Sequence, residues 1–245
     1  MKERLDKFIS SRTALSRKEA QKAIRDSRVT VNGAAAHAVD VRIDTDADTV
    51  TLDGKALTCQ KYVYYMMYKP AGVISATEDR TERTVLDILP PELRRGGLFP
   101  AGRLDKDTTG LLIITNDGDY AHRMLSPKKH VVKRYIATLD KEPDESAVQR
   151  FADGIVLGDG TVCRSSKAEL LGGNRAAVEI SEGKYHQVKR MFAALGYHVE
   201  ALERVRIGAL ELDRRLSPGE AREMSGEEAR MVFDDGKIKE YRSNS

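Results

Sequence analysis

Tryptophan is absent from the 245-residue chain, and Cys59 and Cys163 are the only cysteines. Two thiols cannot build a disulfide framework, and no CxxC pair or Cys/His cluster offers the spacing of a structural zinc site. Long hydrophobic runs are missing too. No stretch approaches the roughly 20 apolar residues of a membrane helix. The N-terminal MKERLDKFISSRT interrupts its apolar residues with charge every second or third position, unlike the apolar centre of a signal peptide. These absences predict a cytoplasmic chain that stays out of the bilayer. There is no GxGxxG fingerprint and no Walker loop, the usual marks of dinucleotide and nucleotide enzymes. Nor does one sign of charge dominate: 41 basic residues face 38 acidic ones, for a net charge of +3.

What is present is a globular balance, with 40% hydrophobic and 32% charged residues, in a chain long enough for one large or two modest domains. The charge is unevenly spread. Residues 1–28 carry a net +5, whereas residues 29–60 carry −3, so a local basic patch rather than a global excess is available to an anionic polymer. Leu5, Phe8 and Ile9 share a helical face, and Ser16 with Glu19 forms a capping-box pattern ahead of a second helix. Ala20, Ala23 and Ile24 give that helix a narrow apolar stripe. Arg17, Gln21, Arg25 and Arg28 line another face, spaced to follow a phosphate backbone. Val29 and Val31 then alternate into Asn32-Gly33, a hairpin signal.

The run RLDKFISSRTALSRKEAQKAIRDSRVTVNG resembles an S4-type RNA-binding domain. The resemblance implies that residues 1–60 grip structured RNA, with Arg4, Lys7, Arg12, Arg17, Lys18, Lys22, Arg25 and Arg28 as the cations that meet it. A small basic module of this kind suits docking by shape and backbone charge rather than base selection.

Beyond residue 60 the composition changes. Tyr62 to Tyr68 form a dense apolar and aromatic run ahead of Lys69-Pro70, expected to be a buried strand opening a second domain over residues 61–233. The polar, aperiodic run 234–245 is expected to be a frayed tail. In Gly102-Arg103-Leu104-Asp105-Lys106-Asp107-Thr108-Thr109-Gly110-Leu111-Leu112, the segment Leu111–Ile114 suits a core strand, so Asp105 sits in a loop feeding the core. Asn116-Asp117-Gly118 is a turn signal, and Asp107 and Asp117 are expected to be turn or surface residues. Lys133–Leu139 alternates as a strand with Tyr135, Ala137 and Leu139 on one face. Val188, Met191, Phe192 and Leu195 mark a helix, closed by Gly196, that fixes Lys189 and Arg190 near its start.

These segments resemble the motifs of pseudouridine synthases: YKPAGVIS, GRLDxxTxGLL, KxY and EGxxHQVKRM. Together with the S4-like segment, the resemblance runs from residue 3 to about residue 225. It implies an α+β fold, with a catalytic domain built on a mixed, mostly antiparallel sheet with flanking helices. It also implies that Asp105 is the catalytic residue, that Tyr135 stacks on the target base, and that Lys189 neighbours the aspartate; since burial opposes ionisation and a nearby cation favours it, Lys189 is expected to keep Asp105 charged. Arg103 is expected to fill the gap left by the base or to bind a phosphate. His186 is expected to be structural or to contact RNA, since nothing supplies the nucleophile of a triad. Isomerising uridine loses no atom and changes no oxidation state, so no cofactor and no metal is expected. The implied partner is ribosomal RNA or a subunit assembly intermediate, met by a monomer. The resemblance favours 16S rRNA at a site of the uridine-516 type. A 23S enzyme of the same family is the alternative. Two readings of another class are a non-catalytic S4-type binding protein and a nucleosidase that would release free base.

Overall fold

A computed structural model describes residues 2–58 and 60–234. The expected tail therefore lies, from residue 235 on, outside the described residues.

The N-terminal unit begins with β1 (Lys2–Arg4), α1 (Leu5–Arg12) and α2 (Arg17–Arg25). The capping box forms as read: the Ser16 hydroxyl accepts from the Glu19 N–H, and the Glu19 carboxylate accepts from the Ser16 N–H at 2.7 Å. Four short strands follow, β2 (Val29–Val31), β3 (Ala34–Ala35), β4 (Arg42–Asp44) and β5 (Val50–Leu52), and then β6 (Lys55–Ala56). The sheet order is β3-β2-β5-β6, with β1 paired to β4. Asn32 (φ 51°) and Gly33 (φ 82°) turn β2 into β3, as a two-residue hairpin requires. Leu5, Phe8, Ile9, Ala20, Ala23 and Ile24 close a core of their own with Val29, Ile43 and Val50.

The second unit is a nine-stranded sheet. Its strands are β7 (Tyr64–Lys69), β8 (Phe99–Ala101), β9 (Thr109–Thr115), β10 (Lys133–Leu139), β11 (Lys167–Leu170), β12 (Arg175–Ile180), β13 (Val199–Ile207), β14 (Leu210–Glu211) and β15 (Ala221–Glu223). The order is β11-β12-β10-β13-β9-β7-β15, with β14 on β13 and β8 on β9. Every pair is antiparallel except β13 with β9. At that parallel seam Gly110 (φ 103°) lies opposite Arg204, so close that a Cβ would fall 2.7 Å from the Arg204 nitrogen. Only glycine suits both the backbone angle and the approach.

Both faces of the sheet are covered. On one, Tyr65, Met67, Leu112, Ile114, Tyr135 and Val178 pack against α4 (Glu145–Asp153) and α5 (Gln187–Ala194) through Phe151, Val188, Met191 and Phe192. On the other, Met66, Leu111 and Ile113 pack against α3 (Gly118–Leu125) and α6 (Gly226–Met231). Two-sided burial explains why β7 and β9 read as nearly continuous apolar runs instead of alternating. Among the described residues no helix is long and apolar enough to cross a membrane.

Asp117 departs from the expected surface position. It is buried and caps α3, its carboxylate accepting from the Tyr120 N–H at 3.0 Å and from the Tyr64 hydroxyl at 2.6 Å. The turn signal was a helix cap, because the same short side-chain acceptors serve both.

Candidate active site

Asp105 lies in the loop between β8 and β9, and the YKPAGVIS segment holds that loop from below. The buried Lys69 ammonium donates to the carbonyls of Pro70 (2.9 Å), Lys106 (3.3 Å) and Thr108 (2.9 Å). Burial pushes its pKa down to about 8. The Ser75 hydroxyl donates to the Leu104 carbonyl and accepts from the Leu104 N–H, both at 3.0 Å, and the Gly72 N–H reaches the Lys106 carbonyl at 2.8 Å. Five of these bonds fix the backbone on either side of Asp105, leaving its side chain 28% exposed in a cleft.

The opposite wall is the turn into α5. Gln187 accepts from the Lys184 N–H at 2.9 Å and donates to Glu182 at 3.0 Å, which locks residues 182–187 and leaves His186 in the left-handed region (φ 46°). The His186 ring stacks on Tyr185, centroids 3.8 Å apart, and its Nε2 lies 3.5 Å from Asp105 Oδ1. One turn further on, Lys189 Nζ lies 3.9 Å from Asp105 Oδ2 but donates at 2.5 Å to Asp107. The hydrogen bond from Lys189 holds the Asp107 carboxyl below its ordinary range. Lys189 therefore serves two carboxylates, and Asp107 is more than the bystander expected from the sequence.

Tyr135 projects from β10 and is 9% exposed. It joins Arg103, Asp105, His186 and Leu202 in lining the cleft, so the expected residues Asp105, Tyr135, Lys189 and Arg103 do converge. Arg103 stands at the exposed rim. Two residues missed by sequence reasoning stand beside them. Arg204 on β13 reaches the Tyr135 hydroxyl at 3.5 Å and donates to the Leu111 carbonyl at 2.8 Å, and the buried Lys133 precedes Tyr135 by two positions on the same face of β10. The alternation of β10 was a signal for Lys133. Nothing local marked Arg204.

The RNA pseudouridylate synthase model matches residues 63–194, and the S4 domain model matches residues 3–39. The chain belongs to the RNA pseudouridine synthase family. An uncharacterized RNA pseudouridine synthase of Bacillus subtilis is 42% identical over 233 residues, covering 94% of this chain and 98% of the relative. The ribosomal small subunit pseudouridine synthase A of Escherichia coli is 40% identical over 231 residues, covering 94% and 99%. A crystal structure of a pseudouridylate synthase aligns with a TM-score of 0.66 at 40% identity, over 94% of this chain and 99% of that one. This synthase is an isomerase with an N-terminal S4 domain.

On the S4 domain the eight expected cations divide. Lys7, Lys18, Lys22 and Arg25 are exposed, with no acidic partner among the described residues. Arg4 (3.1 Å) and Arg17 (3.1 Å) share Asp6, and Arg28 forms a two-pronged pair with Asp53 at 2.7 and 2.5 Å. Burial works to raise the Asp6 carboxyl, but hydrogen bonds from Arg4, Gln21 and Arg17 outweigh it and hold it well below the usual carboxylate range. Arg12 is turned inward, bonded to Glu3 at 3.0 Å and lying 3.8 Å over the Phe8 ring. The i, i+4 spacing on α1 sets the guanidinium over Phe8, and Glu3 neutralises it, so Arg12 belongs to the S4 core rather than to an RNA-facing surface.

Proposed function

We propose that this synthase isomerises a uridine in ribosomal RNA, with 16S rRNA of the small subunit as its substrate, and that Asp105 is the catalytic carboxylate. The observation that carries this reading is the single cleft in which Asp105 faces Tyr135, with His186 and Lys189 within 4 Å of its oxygens. The relatives named for the small subunit, matched over nearly their whole length, support the 16S assignment.

Converting uridine to pseudouridine breaks the bond from C1′ to N1, turns the uracil, and joins C5 to the same carbon. Asp105 acts on the ribose in its ionised form, as nucleophile or as base. Lys189 Nζ and the His186 ring flank its two oxygens. The target nucleotide leaves its stack at a cost of a few kcal/mol, and stacking on Tyr135 returns about 1–3 kcal/mol. Arg103 at the rim fills the vacated position or meets a phosphate. Residues 1–60 supply docking through Lys7, Lys18, Lys22 and Arg25, with Arg4, Arg17 and Arg28 offering the outer edges of paired guanidiniums. Residues 61–233 supply the chemistry, and the enzyme acts as a monomer.

Ribosomal RNA labelled with tritium at uridine C5 tests this. The wild-type protein releases label into water without free uracil, and mapping places the modified uridine in 16S rRNA. Asp105→Asn abolishes release while keeping RNA affinity. Asp107→Asn keeps turnover, because its loss frees Lys189 to turn to Asp105. Equal loss in both variants would show that the wrong carboxylate has been chosen.

A further inference from the structure

Tyr185 is 76% exposed, more than any other large hydrophobic residue described, yet its ring is held in place. One face lies on the His186 ring, with centroids 3.8 Å apart and planes 17° from parallel, and the other is open to solvent. The locked 182–187 turn keeps His186 in the left-handed region, a conformation that recurs at ligand clamps. The Tyr185 carbonyl accepts from Arg190 at 3.4 Å, and Arg190 is tied to Asp159 at 2.5 Å. On the other flank Lys184 donates to the Val162 carbonyl at 2.7 Å, which fastens the turn to a hairpin whose exposed Val156 and Val162 pair across its arms. Lys184 and His186, on either side of Tyr185, both line the Asp105 cleft, whereas Tyr185 does not, so its ring stands on the outer side of the cleft wall.

A single exposed tyrosine needs no explanation by itself. This one is set apart by its fixed orientation, by its place one ring beyond the side chain that flanks Asp105, and by the charge around it. Arg103 stands at the same rim, Lys184 and Lys189 lie on either side in sequence, and the neighbouring acids Glu182 and Asp159 are already paired with Lys184 and Arg190. Cations interleaved with an open aromatic face are the makings of a single-strand nucleic-acid platform. The reaction creates a base that needs one. When the target uridine leaves its stack, the bases beside it lose a partner. Tyr135 serves the extruded uracil, and an unpaired neighbour is left with a bare face. The 3.8 Å spacing of His186 and Tyr185 is close to the roughly 3.4 Å rise per nucleotide of a strand, so a base laid on the open face extends a stack that begins at the cleft wall.

We propose that Tyr185 stacks on the nucleobase next to the target uridine, so that the enzyme selects a uridine with an unpaired neighbour. Every base has a π-face, so the contact reads the single-stranded state of that neighbour and not its identity. This rests on the reading of the cleft as a ribosomal RNA isomerase site given above.

The test uses full-length protein and a protein-free 16S rRNA fragment spanning the modified uridine, prepared intact or with an abasic nucleotide on its 5′ or its 3′ side. On intact RNA, Tyr185→Ala is expected to lose about 10-fold in kcat/KM, read by tritium release from uridine C5, the scale of one base on one aromatic ring. Tyr185→Leu, apolar but without a ring, loses as much, and Tyr185→Phe recovers most of the rate. With one of the two abasic RNAs, wild type and Tyr185→Ala come within about twofold of each other, because the base that the ring would cover is gone. In the same position 2-aminopurine is quenched on binding to wild type and stays bright with Tyr185→Ala. A loss that persists on both abasic RNAs would assign the ring to orienting His186, and an undiminished rate on intact protein-free RNA would leave Tyr185 to a protein partner; either result overturns the proposal. A wild-type protein that releases no tritium from the intact RNA would instead overturn the reading of the cleft on which it rests.

Discussion

At the scale of a single residue, Gly110 joins fold and chemistry. It sits five positions after Asp105, in the one parallel seam of the sheet, and its backbone angle and its approach to Arg204 both exclude a side chain. Gly110→Ala adds one methyl group, but that group needs either a strained left-handed backbone or a parting of β9 from β13. The strain alone is worth about 1–3 kcal/mol. We expect the variant to lose about 3 kcal/mol of stability in urea unfolding and to lose activity as well, because of the two parted strands β9 follows the Asp105 loop and β13 carries Arg204. An unchanged unfolding midpoint would mean that the seam yields more easily than its packing indicates.

At the scale of the element, α3 shows how a site can depend on a helix that turn-like residues conceal. Asp117 both caps α3 and accepts from the Tyr64 hydroxyl, which burial and this carboxylate push well above the ordinary phenol range. Removing a cap costs about 1 kcal/mol, and stranding a buried hydroxyl costs about 1–3 kcal/mol more. Asp117→Ala is therefore expected to lose about 3 kcal/mol in chemical denaturation, whereas Asp117→Asn, which keeps an acceptor, loses less. Equal losses would assign the effect to charge rather than to the acceptor. The same helix explains what was legible in the sequence. The faces of α1, α2, α5 and β10 could be read from local periodicity, and Asp105, Tyr135, Lys189 and Arg103 from motif resemblance. Asp117 could not, because a cap and a turn use the same side chains. The face of β10 that carries Lys133 was readable from its alternation, but Arg204 was not. A lone cation in a strand reads as solvent-facing until the pairing of β10 with β13 and the packing of α3 show which face is enclosed. That pairing joins Tyr135 to Arg204, whose relation is set by tertiary structure and leaves no local pattern.

At the scale of the whole molecule, the S4 domain is attached to the catalytic domain at a place that matters for the cleft. The Gly96 N–H donates to the Thr13 carbonyl at 3.0 Å, in the turn between α1 and α2, and a Cβ at Gly96 would collide with the Ser10 carbonyl. From Gly96 the chain runs through β8 directly into the Asp105 loop, so the S4 domain leans on the segment that leads to the carboxylate proposed to act on the ribose. Docking and chemistry are nevertheless expected to be separable. Lys18, Lys22 and Arg25 lie exposed on α2, are not among the residues that line the cleft, and have no acidic partner among the described residues. Each phosphate they neutralise contributes about 0.7–0.9 to the slope of log K against log salt. Replacing all three with glutamine is therefore expected to weaken RNA binding and to lower that slope by about 2, while the single-turnover rate at saturating RNA stays within about twofold, since no interaction at Asp105 is lost. An unchanged slope would move the RNA off α2, and a collapsed rate at saturation would show that the S4 domain positions the target nucleotide as well as holding the strand.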